Sequence, residues 1–176
     1  MAASHLLLPP LELLQELFYV SNTSPSGLRW KKPRVNSLKP GAVAGNKTSS
    51  SYWRVKIKTD KAKSYLVHRV VFCLQTGVDP GINQVDHVYG LSDPLSLRLA
   101  TPQQNSFNQV NKVAYASSAY KGVSWNKKHK KWSSNLYFNY KQIYLGSFDV
   151  EKEAAEAYDT AAIEFFGEFA CVNFKK

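Results

Sequence analysis

From Tyr120 onward the chain carries three short alternating runs, Tyr120 to Trp125, Lys131 to Phe138 and Gln142 to Phe148, followed at once by one long amphipathic segment, Val150 to Phe166. That order leaves few folds open. Strand side chains alternate with period two, whereas a helix stripe recurs every three to four residues. The turn-prone stretches Asn126 to Lys130 and Asn139 to Lys141 join the runs as a meander. The last segment has apolar residues at 150, 154, 157, 158, 161, 162 and 165, with Asp149 placed to cap it and Gly167 to end it. One apolar sheet face and one apolar helix stripe must bury each other. Trp125, Trp132, Phe148, Tyr158 and Phe165 are therefore expected between them, and the other sheet face is free to carry polar and cationic side chains.

Upstream, Pro10 and the leucine-rich run after it predict a short amphipathic helix. Ser24 to Ser51 reads as loops and short strands. Tyr52 to Lys58 alternates apolar and basic residues, and Tyr65 to Phe72 is mostly apolar, with a turn at Asp60 to Ser64. The second run reads as strand or as a continuation into helix. Thr101-Pro-Gln-Gln-Asn105 is a capped helix start that sets Asn105, Asn108 and Asn111 on one face.

With 44% apolar residues, the chain can bury a core without disulfide staples. Its net charge of +10 favours polyanions, and distribution matters more than the total. No carboxylate occurs between Pro94 and Phe148, and only Asp60 opposes the basic residues from Arg29 to Arg69. The N-terminal part should thus also lie against phosphate. No stretch is long and apolar enough for a membrane helix, and Cys73 and Cys171 lack the spacing of a zinc or redox motif, so buried thiols in a reducing, intracellular setting are expected.

Val85-Asp86-His87 precedes the Asn105 helix by about eighteen residues, a set able to hold one hard cation and deprotonate a water. His68 reads as a core histidine and Arg69 as the partner of a carboxylate. In order, His68-Arg-Val-Val-Phe, Val85-Asp-His-Val-Tyr-Gly and Leu97-Arg-Leu-Ala-Thr-Pro-Gln-Gln-Asn105 resemble the HNH homing endonucleases of phages and introns. The resemblance implies His87 as general base, Asp86 and Asn105 as ligands of one Mg²⁺ or Mn²⁺, Ser96 and Asn108 as supports, and Arg98 on DNA. The loop is shorter than that family's by about three residues, Tyr89 replaces an asparagine, and Ser96 stands where a middle asparagine would orient the histidine, with only a short hydroxyl to offer.

Tyr120 to Trp132, Tyr144 to Phe148, Glu153 to Ala162 and Gly167 to Phe174 resemble the plant APETALA2 and ethylene-response-factor DNA-binding domain. That resemblance implies a sheet in the major groove with Lys121, Ser124, Asn126, Lys128, Asn135, Tyr137, Gln142 and Tyr144 on bases or phosphates. Several plant arginines are absent, so a target different from the plant GC-rich box is expected.

The leading expectation is an α+β protein. Its parts are an N-terminal ββα-metal module at 1–113, a linker at 114–119, and a three-stranded antiparallel sheet packed on one C-terminal helix at 120–174. It is expected to act as a monomeric, metal-dependent homing-type nuclease on double-stranded DNA, with no membrane or small-molecule partner. The location would be the cytoplasm or nucleoid of a bacterial or phage-infected host, or the nucleus of a eukaryote. The alternative is a non-catalytic DNA-binding or regulatory protein with a degenerate HNH module.

Overall fold

The computed structural model describes residues 7–32, 39–107 and 117–174. The architecture is α+β, and the chain divides into two compact units, Met1–Pro102 and Gln103–Lys176.

In the first unit, helix α1 (Leu11–Leu17) leads into a hairpin of β1 (Phe18–Val20) and β2 (Leu28–Trp30). A second antiparallel sheet joins β3 (Asn46–Lys47), β4 (Trp53–Lys58) and β5 (Ala62–Leu66). On β4 the alternation is clean: Val55 and Ile57 are buried, and Arg54, Lys56 and Lys58 are exposed. The apolar run after it divides between two elements. Ala62–Leu66 pairs as strand, and Val67–Thr76 winds into α2, because Val67, Val70 and Val71 at helical spacing all enter the core. Gly77 ends that helix in the left-handed conformation (φ +76°), its N–H donating to the Cys73 carbonyl. Leu14, Leu17, Phe18 and Leu28 complete the core.

The last hairpin of this unit pairs β6 (Gln84–His87) with β7 (Leu97–Ala100) in unbroken register, Asp86 opposite Arg98 and His87 opposite Leu97. The expected ββα-metal module is not shown. The helix that should complete it, α3 (Pro102–Phe107), falls beyond its first residue in the second unit. The reason is aromatic burial: α3 has no buried residue of its own, and Phe107 stacks on Phe166 with ring centroids 4.0 Å apart. The expected end of the first module at 113 lies outside the described residues. Asn108, Asn111 and the first part of the expected linker lie outside the described residues.

The second unit contains the expected meander: β8 (Val123–Asn126), β9 (Lys131–Phe138) and β10 (Lys141–Phe148), in spatial order β10-β9-β8 and all antiparallel. Helix α4 (Glu151–Phe166) covers one face and ends at Gly167. Its buried side is rotated from the predicted stripe, with Ala154, Ala155, Tyr158, Asp159, Ala161, Ala162 and Phe166 inside. Val150 and Phe165 stay 51% and 39% exposed, so Phe166 rather than Phe165 seals the core. Small alanines let the sheet approach closely. Trp125, expected inside, is 38% exposed and lies edge-on to Trp132. Asp149 does not cap α4, since Val150 holds that position without a side-chain bond and Asp149 pairs with Lys131 Nζ at 3.2 Å.

Two local features set the sheet's geometry. A bulge between Tyr144 and Gly146 shifts the parity of β10, so that Phe148 turns inward opposite Trp132. Gly122 (φ +78°) lies against the helix, where a Cβ would run into the Tyr158 ring and stand 2.7 Å from the Asn135 carbonyl oxygen.

Candidate nucleic-acid interface

Cross-strand pairing decides which side chains share the uncovered face. Val123 pairs with Ser134, and both are buried under α4. The neighbouring pairs must therefore point the other way. They are Ser124 with Ser133, Asn126 with Lys131, Asn135 with Tyr144, and Tyr137 with Gln142. Six of the eight expected contact residues, Ser124, Asn126, Asn135, Tyr137, Gln142 and Tyr144, thus lie on one surface. Tyr137 and Tyr144 are 65% and 61% exposed there.

Several of these groups are already oriented. Tyr144 and Ser147 share a hydroxyl hydrogen bond of 2.7 Å, and Asn135 Nδ2 donates to Ser133 Oγ at 3.1 Å. Asn126 Oδ1 accepts from the backbone N–H groups of Lys128 and His129, folding the basic turn Lys127 to Lys130, whose side chains are all exposed. Lys128 is at the tip of that turn, where it can meet a phosphate as a point charge. Ser133, Ser147 and the fully exposed Tyr140, held at φ +61° in the β9–β10 turn, also belong to this surface or its rim. Sequence reading missed them, although strand parity alone marks Ser133.

Lys121 does not join the face. Its Nζ donates to the Phe107 carbonyl at 2.7 Å, and burial pushes its pKa below the ordinary lysine value. Its backbone is clamped as well: Lys121 N–H donates to Asn173 Oδ1, and Asn173 Nδ2 donates back to the Lys121 carbonyl. Asn173 in turn is fixed by Asp159, a buried carboxylate that no periodicity argument selected.

The other expected site lies in the first unit. Asp86 is buried, and its Oδ2 accepts from Arg98 Nε at 3.1 Å and Nη2 at 3.0 Å. Arg98, expected on DNA, has its side chain only 13% exposed and is spent on this ion pair. His87 is at the strand's end beside His68, with ring centroids 5.1 Å apart, and Tyr52 lies near both. Burial lowers the His87 pKa, partly offset by Asp86 and Asp93. His68 is held down to about 3, first by burial and then by His87 and Arg69. Arg69 donates to the Asn83 and Gly81 carbonyls at 2.7 Å each and is 4.0 Å from Asp79. Ser96 closes the hairpin through its carbonyl, which accepts from Val88 N–H. Asn105 is half-buried on α3 and thus falls in the other unit. A hard cation wants several oxygen ligands. Asp86 is paired with Arg98, and among the described residues no group of three His, Cys, Asp or Glu side chains is placed to hold a metal ion.

Known proteins resolve the sheet-and-helix unit. Residues 118–168 match the AP2 domain. Relatives of the AP2 module include APETALA2-like protein 2 of Oryza sativa subsp. indica, 47% identical over 58 residues, which span 33% of this chain and 13% of that protein. AP2-like ethylene-responsive transcription factor TOE2 of Arabidopsis thaliana is 45% identical over 58 residues, spanning 33% and 12% of the two chains. AP2-like ethylene-responsive transcription factor ANT, also from Arabidopsis thaliana, is 43% identical over 60 residues, spanning 33% and 11%. The match therefore spans about an eighth of the length of these curated relatives. These findings correct the expectation of a metal-dependent HNH endonuclease, because the chain's similarity runs to proteins named as transcription factors.

Proposed function

We infer that this protein binds double-stranded DNA through the outer face of β8, β9 and β10, and acts as a non-catalytic regulatory protein. The observation that carries this reading is the single parity of Ser124, Asn126, Asn135, Tyr137, Gln142 and Tyr144, all opposite the helix-covered face. A two- to three-stranded ribbon fits a major groove, and amide and hydroxyl groups are the donors and acceptors that read base edges there. The AP2 match and the transcription-factor names of the relatives support the same conclusion. They also favour the nucleus as the site of action in a eukaryotic cell over a bacterial or phage setting. One outer face per chain suits binding as a monomer. Asn135 and Gln142 supply side-chain amides, which suit adenine, so the target should hold more A·T pairs than a GC-rich box.

Selection of binding sites from a randomised duplex pool, followed by gel shifts with Gln142→Ala and Tyr144→Ala, tests the reading. Each substitution should weaken the selected duplex by roughly ten- to a hundredfold, or about 1–3 kcal/mol. Variants that bind the selected duplex as well as the parent would refute the assigned face. Recovery of a GC-rich consensus would refute the adenine preference.

A further inference from the structure

We propose that the exposed face of β3, β4 and β5 in the first unit is a second, sequence-independent binding site for the phosphate backbone of a DNA duplex, centred on Arg54, Lys56 and Lys58. The three cations occupy alternate positions on β4 and so share one face, opposite the buried Val55 and Ile57. Across the strand pairs they meet Leu66, Ser64 and Ala62, and on the other side Arg54 meets Asn46. The strands β3, β4 and β5 themselves contain no Asp or Glu; the nearest in sequence is Asp60 in the turn. Arg54 is held in place, its Nε donating to Ser64 Oγ and its Nη2 to the Ser64 carbonyl, both at 3.0 Å. A fixed guanidinium loses little freedom when it meets an anion.

The row from Arg54 to Lys58 spans about 13 Å at the rise of a strand. Over that length a duplex carries on the order of eight phosphate charges. A polyanion of that density suits a strip of cations interleaved with small polar residues. A membrane surface would call for large apolar anchors beside the charge. Among the described residues of β3, β4 and β5 that share this face, the one sizeable apolar side chain is the half-buried Leu66 at its inner end. The site is distinct from the AP2 face, because it reads no bases and belongs to the other compact unit. It rests on the DNA reading above only for the identity of the polyanion.

The test uses the full chain and measures the salt dependence of affinity for a random-sequence duplex. The variants are Lys56→Gln/Lys58→Gln, its charge-reversed form Lys56→Glu/Lys58→Glu, and the outer-face variant Gln142→Ala/Tyr144→Ala. Each lost phosphate contact reduces the slope of log K against log salt by about 0.9, so the glutamine pair should flatten it by about 1.8. Charge reversal should flatten it further, and both should leave the preference for the selected over the random duplex unchanged. The same flattening should appear when the substitutions are combined with Gln142→Ala/Tyr144→Ala. A slope unchanged in both lysine variants, with selective binding intact, overturns this proposal and leaves the AP2 reading standing. Flattening by the lysine variants alongside normal affinity in the outer-face variant supports this site and refutes that reading. Loss of binding to phosphatidylserine vesicles without any change on duplex overturns the proposal in favour of a membrane. Because Lys56 and Lys58 are exposed on β4, an unchanged urea midpoint confirms that the variants are folded.

Discussion

Asp159 is the buried carboxylate of α4, and it is bonded to the irregular C-terminal segment at Asn173 and Phe174. Its Oδ1 accepts from Asn173 N–H at 2.7 Å and Nδ2 at 3.0 Å, and its Oδ2 accepts from Phe174 N–H at 2.9 Å. Asp159→Ala leaves two backbone donors unpaired, so it should lower unfolding free energy by about 2–4 kcal/mol, measured by urea denaturation. Asp159→Asn should recover part of the loss. His68 makes a second prediction, on pH. An imidazole ordinarily titrates near 6.5, and this one is held to about 3. Between those values the unfolded chain takes up a proton that the native chain refuses. The stabilising contribution is therefore full above pH 6.5 and is lost as pH falls through the window toward 3. At about 1.4 kcal/mol per unit, this is a few kcal/mol at most. Urea midpoints followed from neutral to acid pH should fall, and His68→Gln should flatten that limb. An equally steep limb in the variant would assign it to other groups. Sequence reading took His68 as a core histidine, whereas it is half-buried beside His87, and the two meet through the packing of α2 and β6.

Among the elements, β4 and the three strands of the AP2 module were legible from alternation, because an edge or two-faced strand displays its environment in its own sequence. The run from Tyr65 to Phe72 was not. Its valines suit either a strand or a helix, and burial of Val67, Val70 and Val71 together resolved it. Helix α3 is a similar case: its start at Pro102 agrees with the sequence signal, and its grouping with the second unit was not legible, since Phe107 finds its stacking partner in Phe166. The β6–β7 hairpin carries a buried ion pair, and breaking one costs about 3–5 kcal/mol because the surviving charge is left without its partner. Arg98→Ala should accordingly destabilise the first unit by that order in a denaturant titration. The folded variant should keep its parent's duplex affinity, whereas a selective loss of affinity would return Arg98 to the DNA interface.

For the whole molecule, the net charge of +10 is distributed over both units, with exposed cations on β4 and at the β8–β9 turn. If both meet phosphate, six or more contacts form, and raising salt from about 50 to 200 mM should reduce duplex affinity by about a thousandfold or more, read by fluorescence anisotropy. A change of only a few-fold would limit the contact to one unit. What the sequence by itself determined is local: strand parity, turn chemistry at Asn126 and Gly167, the existence of α4, and the motif spacing that marked the AP2-like sheet. Each depends on residues a few positions apart, so it is written in the chain. Tertiary structure alone decided which stripe of α4 is covered, where the β10 bulge turns Phe148 inward, and which polar groups are already satisfied. Asp86, Arg98 and Lys121 all read as site residues because their chemistry is suitable. The structure shows each of them already bonded within the fold, Asp86 to Arg98 and Lys121 to the Phe107 carbonyl, which only the folded chain brings within reach.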